Sequence, residues 1–374
     1  MLSDYKFARS AVLNILQSTS KKNYEYEEIL ETIDHVFKIQ PKWMETVNRE
    51  LLVKDIKEHL TIFIPDKIAI FSDEKSGRHI DWLENKIKSK NLKWDFWSRY
   101  EEYLSTQSKM APMTIQGIND QTQKILSQIE DPDREGPWST KGVVVGSVQS
   151  GKTANYSGLI AKAIDAGYKR IIVLCGLNND LRSQTQERLE ESVIGEIISN
   201  ISTNRKIGVG SLGYDIPALN TATSRDEKGD FSKPIASRFR ADKERATLLM
   251  IKKNVSILEN LLYWIHLRDC GGNYDDNVTW KWRPQMETLL GGTLETQRPY
   301  VKDTPLLIID DECDNASVDT GNQAINDNVV DEDYDPKKTN QLIRRILFSY
   351  EKSAYIGYTA TPYSNIFIDR RQET

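Results

Sequence analysis

The stretch GVVVGSVQSGKTANYSGLIA, residues 142–161, constrains the fold more than any other part of this sequence. Val143–Val145 predict a buried strand, and the residues after Thr153 predict a helix. Between them the chain matches G-x-x-x-x-G-K-[ST], through Gly146, Gly151, Lys152 and Thr153. Such a loop surrounds phosphates with backbone N–H groups at a helix N-terminus, and adds a lysine and a magnesium-binding hydroxyl. We therefore predict a nucleoside triphosphate site; an ordinary glycine turn is the alternative.

Composition limits the class of protein. The chain has 374 residues, of which 39% are hydrophobic and 28% charged, which predicts a globular protein of two or three domains. No apolar run approaches the roughly 20 residues of a membrane span, and MLSDYKFARS lacks the features of a signal peptide, so no membrane association is expected. The net charge of −5 excludes a broadly basic surface and permits a local basic groove.

The cysteines and histidines indicate no metal or disulfide framework. Cys175, Cys270 and Cys313 are far apart and form no C-x-x-C pair, and the four histidines form no metal-binding pattern. Disulfides and a zinc site are therefore disfavoured, and a reducing cytoplasmic location is expected.

Residues 1–110 are predicted to form an all-α N-terminal domain, because apolar positions in residues 43–60 and 91–104 follow helical spacing. This segment contains four of the eight tryptophans: Trp43, Trp82, Trp94 and Trp97. It is interpreted as a domain that packs on itself or on the remainder of the chain. A module that docks a partner or contacts DNA is the alternative.

Residues 111–374 are predicted to form an α/β domain. Four further continuous apolar runs alternate with helical segments, at Ile171–Leu174, residues 247–251, Leu306–Ile309 and Ala354–Gly357. This alternation predicts a parallel sheet covered on both faces, with functional loops at the carboxyl ends of the strands. Polar, turn-rich residues 200–245 and 270–303 are interpreted as insertions.

Acidic residues follow the strand Leu306–Ile309 in TPLLIIDDECDNAS, at Asp310, Asp311, Glu312 and Asp314. Carboxylates are costly to bury, so they should emerge at the sheet edge, where a metal ion offsets their repulsion. We predict that Asp311 orders magnesium and that Glu312 polarises the attacking water. A purely structural acidic turn is the alternative.

Two other strand ends carry polar residues. Thr359 and Thr361 follow Ala354–Gly357, and their hydroxyls are expected to face the acidic residues and to relay the state of the bound phosphates. Lys252, Lys253 and Asn254 end the run at residues 247–251, where they are predicted either to hold a phosphodiester backbone or to form a solvated turn.

GSVQSGKT, DECD and TATP, in this order, resemble the first motor domain of superfamily-two helicases. More narrowly, VVVGSVQSGKT, GLNNDLRSQTQERL, LLIIDDECDNAS and YIGYTATPYSNIFI resemble the Z-one domain family over about residues 80–370. Members are bacterial, helicase-like, often labelled endonucleases, and associated with restriction or phage-defence gene clusters. The resemblance implies a RecA-like P-loop motor domain that uses ATP and Mg²⁺ and acts on DNA, with double-stranded DNA and defence proteins as partners.

The resemblance also implies roles for individual residues. The predicted catalytic residues are Lys152, Asp311 and Glu312, with Thr153 and Asp311 on magnesium. The predicted phosphate contacts are Gly146, Gln149, Ser150, Gly151, Lys152 and Thr153. Thr359 and Thr361 would couple nucleotide state to motion. The predicted nucleic-acid contacts are Asn178, Arg182, Lys252, Lys253 and Asn254.

Members of this family carry a second motor lobe with an arginine-bearing motif after the threonine motif, whereas this sequence ends at Thr374. We therefore expect that arginine to come from elsewhere, and ATP hydrolysis by this chain to be slow. Two other functions stay open. One is a nucleotide-gated switch that moves partner proteins without gripping DNA. The other is an endonuclease, or a subunit of one, for which Asp331 and Asp333 are the candidate carboxylates.

Overall fold

The computed structural model describes residues 2–18, 26–61, 82–89, 92–145, 151–199, 205–269, 301–313 and 335–359. Within them the chain is α/β, with one all-parallel sheet of five strands in the order β1-β5-β4-β2-β3. The strands are β1 Trp138–Val145, β2 Arg170–Cys175, β3 Thr247–Lys252, β4 Leu306–Asp311 and β5 Lys352–Thr359. All five strands predicted from sequence are confirmed.

Twelve α-helices accompany the sheet in the described ranges. They are α1 Leu2–Ser18, α2 Tyr26–Ile39, α3 Trp43–Thr46, α4 Arg49–Thr61, α5 Trp82–Lys88, α6 Asp95–Thr106, α7 Pro112–Gln128, α8 Lys152–Ala166, α9 Asn179–Leu189, α10 Lys233–Arg238, α11 Val255–Trp264 and α12 Pro336–Phe348. A π-helical turn, Glu190–Ile194, extends α9, and another, Ile265–Asp269, extends α11.

Helices cover both faces of the sheet, as the continuous apolar strands predict. Residues of α7, α8 and the end of α9 share one buried cluster with alternate residues of β2, β4 and β5. Residues of α10, α11 and α12 form a second cluster with the opposite side chains of β2, β3 and β4. Successive strand residues point to opposite faces, so one apolar run supplies both clusters.

Strand β1 differs from the buried strand that its valines predict. It lies at the edge of the sheet, and its burial alternates along the strand. Val144 packs into the cluster that contains α8, whereas Val143 and Val145 point the other way and are 49% and 50% exposed. The prediction of burial is therefore wrong for these two valines, because no described element covers that face of the edge strand.

The predicted all-helical segment divides between two cores. Helices α1–α4 share a cluster of their own, in which Tyr5 and Arg9 contact the buried carboxylate of Asp55. Helices α5 and α6 pack instead with the sheet-bearing part: Trp82 Nε1 donates to the Ile129 carbonyl at 2.7 Å, and α6 packs on α8. Helices α1–α4 therefore have a core of their own, with α4 also in contact with α7, and residues 82–106 pack on the α/β part.

Residues 200–245 are only partly the surface insertion that their polarity predicts. Among the described residues 205–245, Val209, Thr223, Phe231 and Ala236 are fully buried. The interpretation is wrong for these positions, because this segment fills the space beside α9 and α11 and supplies backbone acceptors to buried side chains. The second predicted insertion, 270–303, lies outside the described residues except for its last three.

No helix in the described ranges is long and apolar enough to cross a membrane. Cys175 and Cys313 are both buried. Cys270 lies outside the described residues.

Asp165, on α8, fixes the start of α6. Its two carboxylate oxygens accept hydrogen bonds from the backbone N–H groups of Phe96 and Trp97, at 3.0 and 2.9 Å. These are first-turn N–H groups, which have no acceptor within their own helix. Burial raises the pKa of Asp165 to about 7, although the two N–H donors favour its charged form.

This raised pKa predicts a pH-dependent stability. Between about pH 4 and pH 7 the folded chain binds a proton at Asp165 that the unfolded chain does not, so the free energy of unfolding should fall as pH rises, by at most about 1.4 kcal/mol per unit. Asp165→Asn, which keeps one acceptor and cannot titrate, should flatten this slope in urea unfolding at pH 5–7.5. Asp215→Asn, at an exposed position, is the control; equal slopes in all three proteins would contradict the assignment.

Candidate nucleotide-binding site

The parallel register brings three of the predicted motifs to one edge of the sheet. Strand β5 lies between β1 and β4, and Val145 pairs with Thr359 while Asp311 pairs with Tyr358. The end of β1, the first threonine and the acidic residues are therefore neighbours. Predicted site residues outside the described ranges are Gly146, Gln149, Ser150, Asp314, Asp331, Asp333 and Thr361.

Gly151, Lys152 and Thr153 form the start of α8. Gly151 precedes the helix with φ 67° and ψ 28°, in the left-handed region. A Cβ there would meet no atom within 4 Å, so the glycine is favoured by its backbone angle and not by lack of space. The helix runs 15 residues from Lys152 to Ala166, and its N-terminus presents partial positive charge to an anion.

The two adjacent aspartates at the end of β4 point to opposite faces of the sheet. Asp310 is fully buried and binds Lys253 Nζ at 2.9 Å and the Tyr355 hydroxyl at 2.7 Å. Asp311 lies on the face that α8 covers, where the Tyr156 hydroxyl donates to its Oδ2 at 3.3 Å. Strand alternation thus separates a structural aspartate from one that faces the predicted phosphate loop.

The surroundings of Asp311 leave its charge incompletely balanced. Burial is the main cause that raises the pKa of Asp311, and the nearby carboxylate of Glu312 raises it further. Lys152, Lys253 and the Tyr156 hydroxyl act in the opposite direction. A carboxylate in this position favours an added cation, which fits its predicted role on magnesium.

Glu312 has an unusual backbone conformation. Its φ is 56°, a left-handed value that costs a residue with a side chain about 1–2 kcal/mol. Lys253 Nζ donates to the carbonyls of Asp311 and Glu312 at 2.8 and 2.7 Å, and the N–H of Cys313 donates to the Tyr358 carbonyl at 3.0 Å. These bonds hold the turn that carries Glu312.

Three of the nucleic-acid contacts that the resemblance implies are contradicted, because the side chains are buried. Lys253 is 1% exposed, and its ammonium group makes the three bonds just described. Arg182 is fully buried and donates to the carbonyls of Ser224 and Asp226. Asn254, 5% exposed, caps α11. Contact of these three side chains with a phosphodiester backbone is wrong for this structure, because each is used to hold the fold.

The two remaining predicted contacts are accessible. Asn178 is exposed and caps α9, where its side chain accepts from the N–H of Leu181 at 2.8 Å. Lys252 is half-buried at the end of β3. Both lie at the sheet edge that carries Asp311, and their contact with nucleic acid stays a prediction.

Two tyrosines that were not predicted from the sequence connect the site to α7 and α8. Tyr156 and Tyr358 meet edge to face with ring centroids 5.6 Å apart. Tyr358 donates to Asn155 Oδ1 at 2.9 Å, and Asn155 Nδ2 donates to Gln121 Oε1 at 2.8 Å. The available signals were the position of Tyr156 three residues after Thr153 and that of Tyr358 beside Thr359. Thr359 is fully buried, and its coupling role stays a prediction.

The described residues fit magnesium only as an ion shared with a ligand. They contain no group of three or more His, Cys, Asp or Glu side chains able to hold a metal. Magnesium commonly keeps several waters and binds one or two protein oxygens together with substrate phosphates. Thr153 and Asp311 suit that mode and do not suit a metal site built from protein alone.

Comparison of the chain with protein-family models, with curated proteins and with solved structures finds no match.

The buried pair of Lys253 and Asp310 predicts a large effect of substitution on stability. Lys253→Met removes the lysine partner of the buried Asp310 carboxylate and should reduce the free energy of unfolding by about 3–5 kcal/mol. Lys253→Met combined with Asp310→Asn should reduce it by clearly less than the sum of the two single changes, because the charge that Lys253 balances is then absent as well. Urea unfolding of the four proteins measures the coupling.

Lys252→Met is the matched control for this cycle, since Lys252 is the adjacent lysine and is only half-buried. Lys252→Met should reduce the free energy of unfolding much less than Lys253→Met does. Additive effects of the changes at Lys253 and Asp310 would contradict the pairing.

Proposed function

We propose that this chain binds ATP with magnesium at the start of α8 and hydrolyses it with the carboxylates at the end of β4. The observation that carries the proposal is the contact between α8, whose first residues end the phosphate motif, and the acidic end of β4. Tyr156, in the first turns of α8, donates to Asp311 at 3.3 Å, and Lys152 lies close enough to act on the pKa of that carboxyl group.

The site residues that the structure describes have separate parts in this proposal. The N-terminus of α8 and Lys152 bind the phosphates, which carry negative charge. Thr153 and Asp311 hold the magnesium ion, which supplies charge neutralisation at the phosphates when it is bound. Glu312 orients the attacking water from a turn that Lys253 holds in place.

The wider role is proposed from the resemblance to the Z-one domain family. In this reading the chain is a helicase-like motor domain that acts on double-stranded DNA in a bacterial restriction or phage-defence system, with other defence proteins as partners. Asn178 and Lys252 are the candidate DNA contacts, because both are accessible at the sheet edge that carries the nucleotide site.

A nucleotide-gated switch is the second candidate function. The observation in its favour is the burial of Arg182, Lys253 and Asn254, which removes three of five candidate nucleic-acid contacts. The bonds from Tyr358 through Asn155 to Gln121 give a route by which events at β5 reach α7. Such a route would serve a switch as well as a motor.

Loss of Lys152 tests the nucleotide site. Lys152→Ala should weaken binding of a fluorescent ATP analogue in Mg²⁺ by about tenfold to a hundredfold, because a charge-assisted bond to phosphate is lost. Lys141→Ala, at an exposed position of β1, should bind as the unaltered chain does. Unchanged affinity of Lys152→Ala in fluorescence titration would refute the proposed site.

A salt series separates the motor from the switch. If the chain grips DNA, affinity for a duplex should fall steeply between 50 and 200 mM salt, since phosphate contacts release counterions. Lys252→Ala should reduce the slope of log affinity against log salt by about 1. Duplex binding that is absent, or insensitive to salt, in fluorescence anisotropy would favour the switch.

A further inference from the structure

Arg188, near the end of α9, reaches the predicted phosphate loop from a distant part of the sequence. Its Nη1 donates to Thr153 Oγ1 at 3.1 Å, across a separation of 35 residues. This is the only polar contact of the guanidinium group that the described part of the chain shows. Arg188 lies in the stretch GLNNDLRSQTQERL, which carries the resemblance, but the sequence assigned no role to it.

The helix that carries Arg188 is firmly anchored. Arg182 and Gln186 donate to carbonyls of the 205–245 segment, at Ser224, Asp226 and Thr223. Leu189 is fully buried in the cluster that contains Tyr156. Arg188 itself is exposed, so a fixed helix presents a solvent-facing cation beside the start of α8.

The acidic residues nearest to Arg188 in sequence have other partners. Arg225 pairs with Glu187 at 3.8 Å and with Glu190, and the Tyr103 hydroxyl bonds Glu191 at 3.3 Å. Within the described residues, no carboxylate pairs with the Arg188 guanidinium. The positive charge beside Thr153 is therefore not neutralised by a salt bridge there.

The position of the guanidinium conflicts with a bound metal ion. The hydroxyl that accepts from Arg188 is the one assigned above to magnesium, and two cations cannot share it at hydrogen-bond distance. Binding of Mg²⁺ and nucleotide would thus displace Arg188 from Thr153. The nearest new anion would be the outer phosphates, which a guanidinium binds with two parallel hydrogen bonds.

We propose that Arg188 contacts the terminal phosphate of the bound nucleoside triphosphate, and that its bond to Thr153 is the resting position of the same side chain. This inference rests on the proposed nucleotide site and extends it with a residue that discriminates triphosphate from diphosphate. The chain then supplies a phosphate-binding arginine from its own α9.

The test compares fluorescent ATP and ADP analogues, titrated in Mg²⁺ against the full 374-residue chain. Arg188→Ala should weaken binding of the triphosphate by about tenfold to a hundredfold and change the affinity for the diphosphate by less than about threefold. Arg188→Gln, which can still donate to Thr153 but carries no charge, should show the same selective loss. Arg245→Ala, an exposed arginine before β3, should have no effect.

Three outcomes would overturn the proposal. One is unchanged triphosphate affinity in Arg188→Ala, and another is equal weakening of both nucleotides. The third is full affinity in Arg188→Gln beside a loss in Arg188→Ala, which would limit the arginine to holding Thr153. Lys152→Ala in the same titrations distinguishes failure of the nucleotide site from failure of the role proposed for Arg188. If Lys152→Ala also binds normally, the nucleotide site itself fails, whereas a loss confined to Lys152→Ala rejects only the role of Arg188.

Discussion

The buried contact between Lys253 and Asp310 supports the edge of the sheet on which the candidate site is built. One ammonium group joins the end of β3 to the end of β4, and it also holds the carbonyls of Asp311 and Glu312. A buried ion pair is favourable only when further hydrogen bonds satisfy its members. Here Tyr355 supplies one to the carboxylate, and the two carbonyls occupy the remaining donors of the lysine.

This contact explains how one strand can carry two adjacent aspartates. Alternation places Asp310 and Asp311 on opposite faces of β4, so their charges are handled separately. Asp310 is neutralised within the fold, while Asp311 faces α8 with its pKa raised, mainly by burial. The first carboxylate pairs with the lysine that holds the turn, and the second is the one proposed to hold magnesium. Their division follows from strand geometry and not from residue type.

The burial of Lys253 has a consequence for function. Lys253 and Arg182 were predicted to contact DNA, yet both side chains are buried. Lys253 stabilises the acidic turn and Arg182 anchors α9. Burial therefore removes three of the five proposed nucleic-acid contacts, whereas it removes none of the described residues proposed to bind phosphate or magnesium. Arg188 adds to this difference, because it is an exposed cation whose hydrogen bond is to Thr153 at the start of α8.

The sequence by itself determined the class of fold, the five strands and the residues of the phosphate and acidic motifs. It did so because apolar runs, glycines and charged strand ends are local signals. Only the tertiary structure decided that Val143 and Val145 lie on an open face and that Lys253 is internal. It also brought Arg188 and Tyr156 to the site. Burial, strand order and contacts over long sequence separations depend on how distant segments pack, and no local pattern encodes that arrangement.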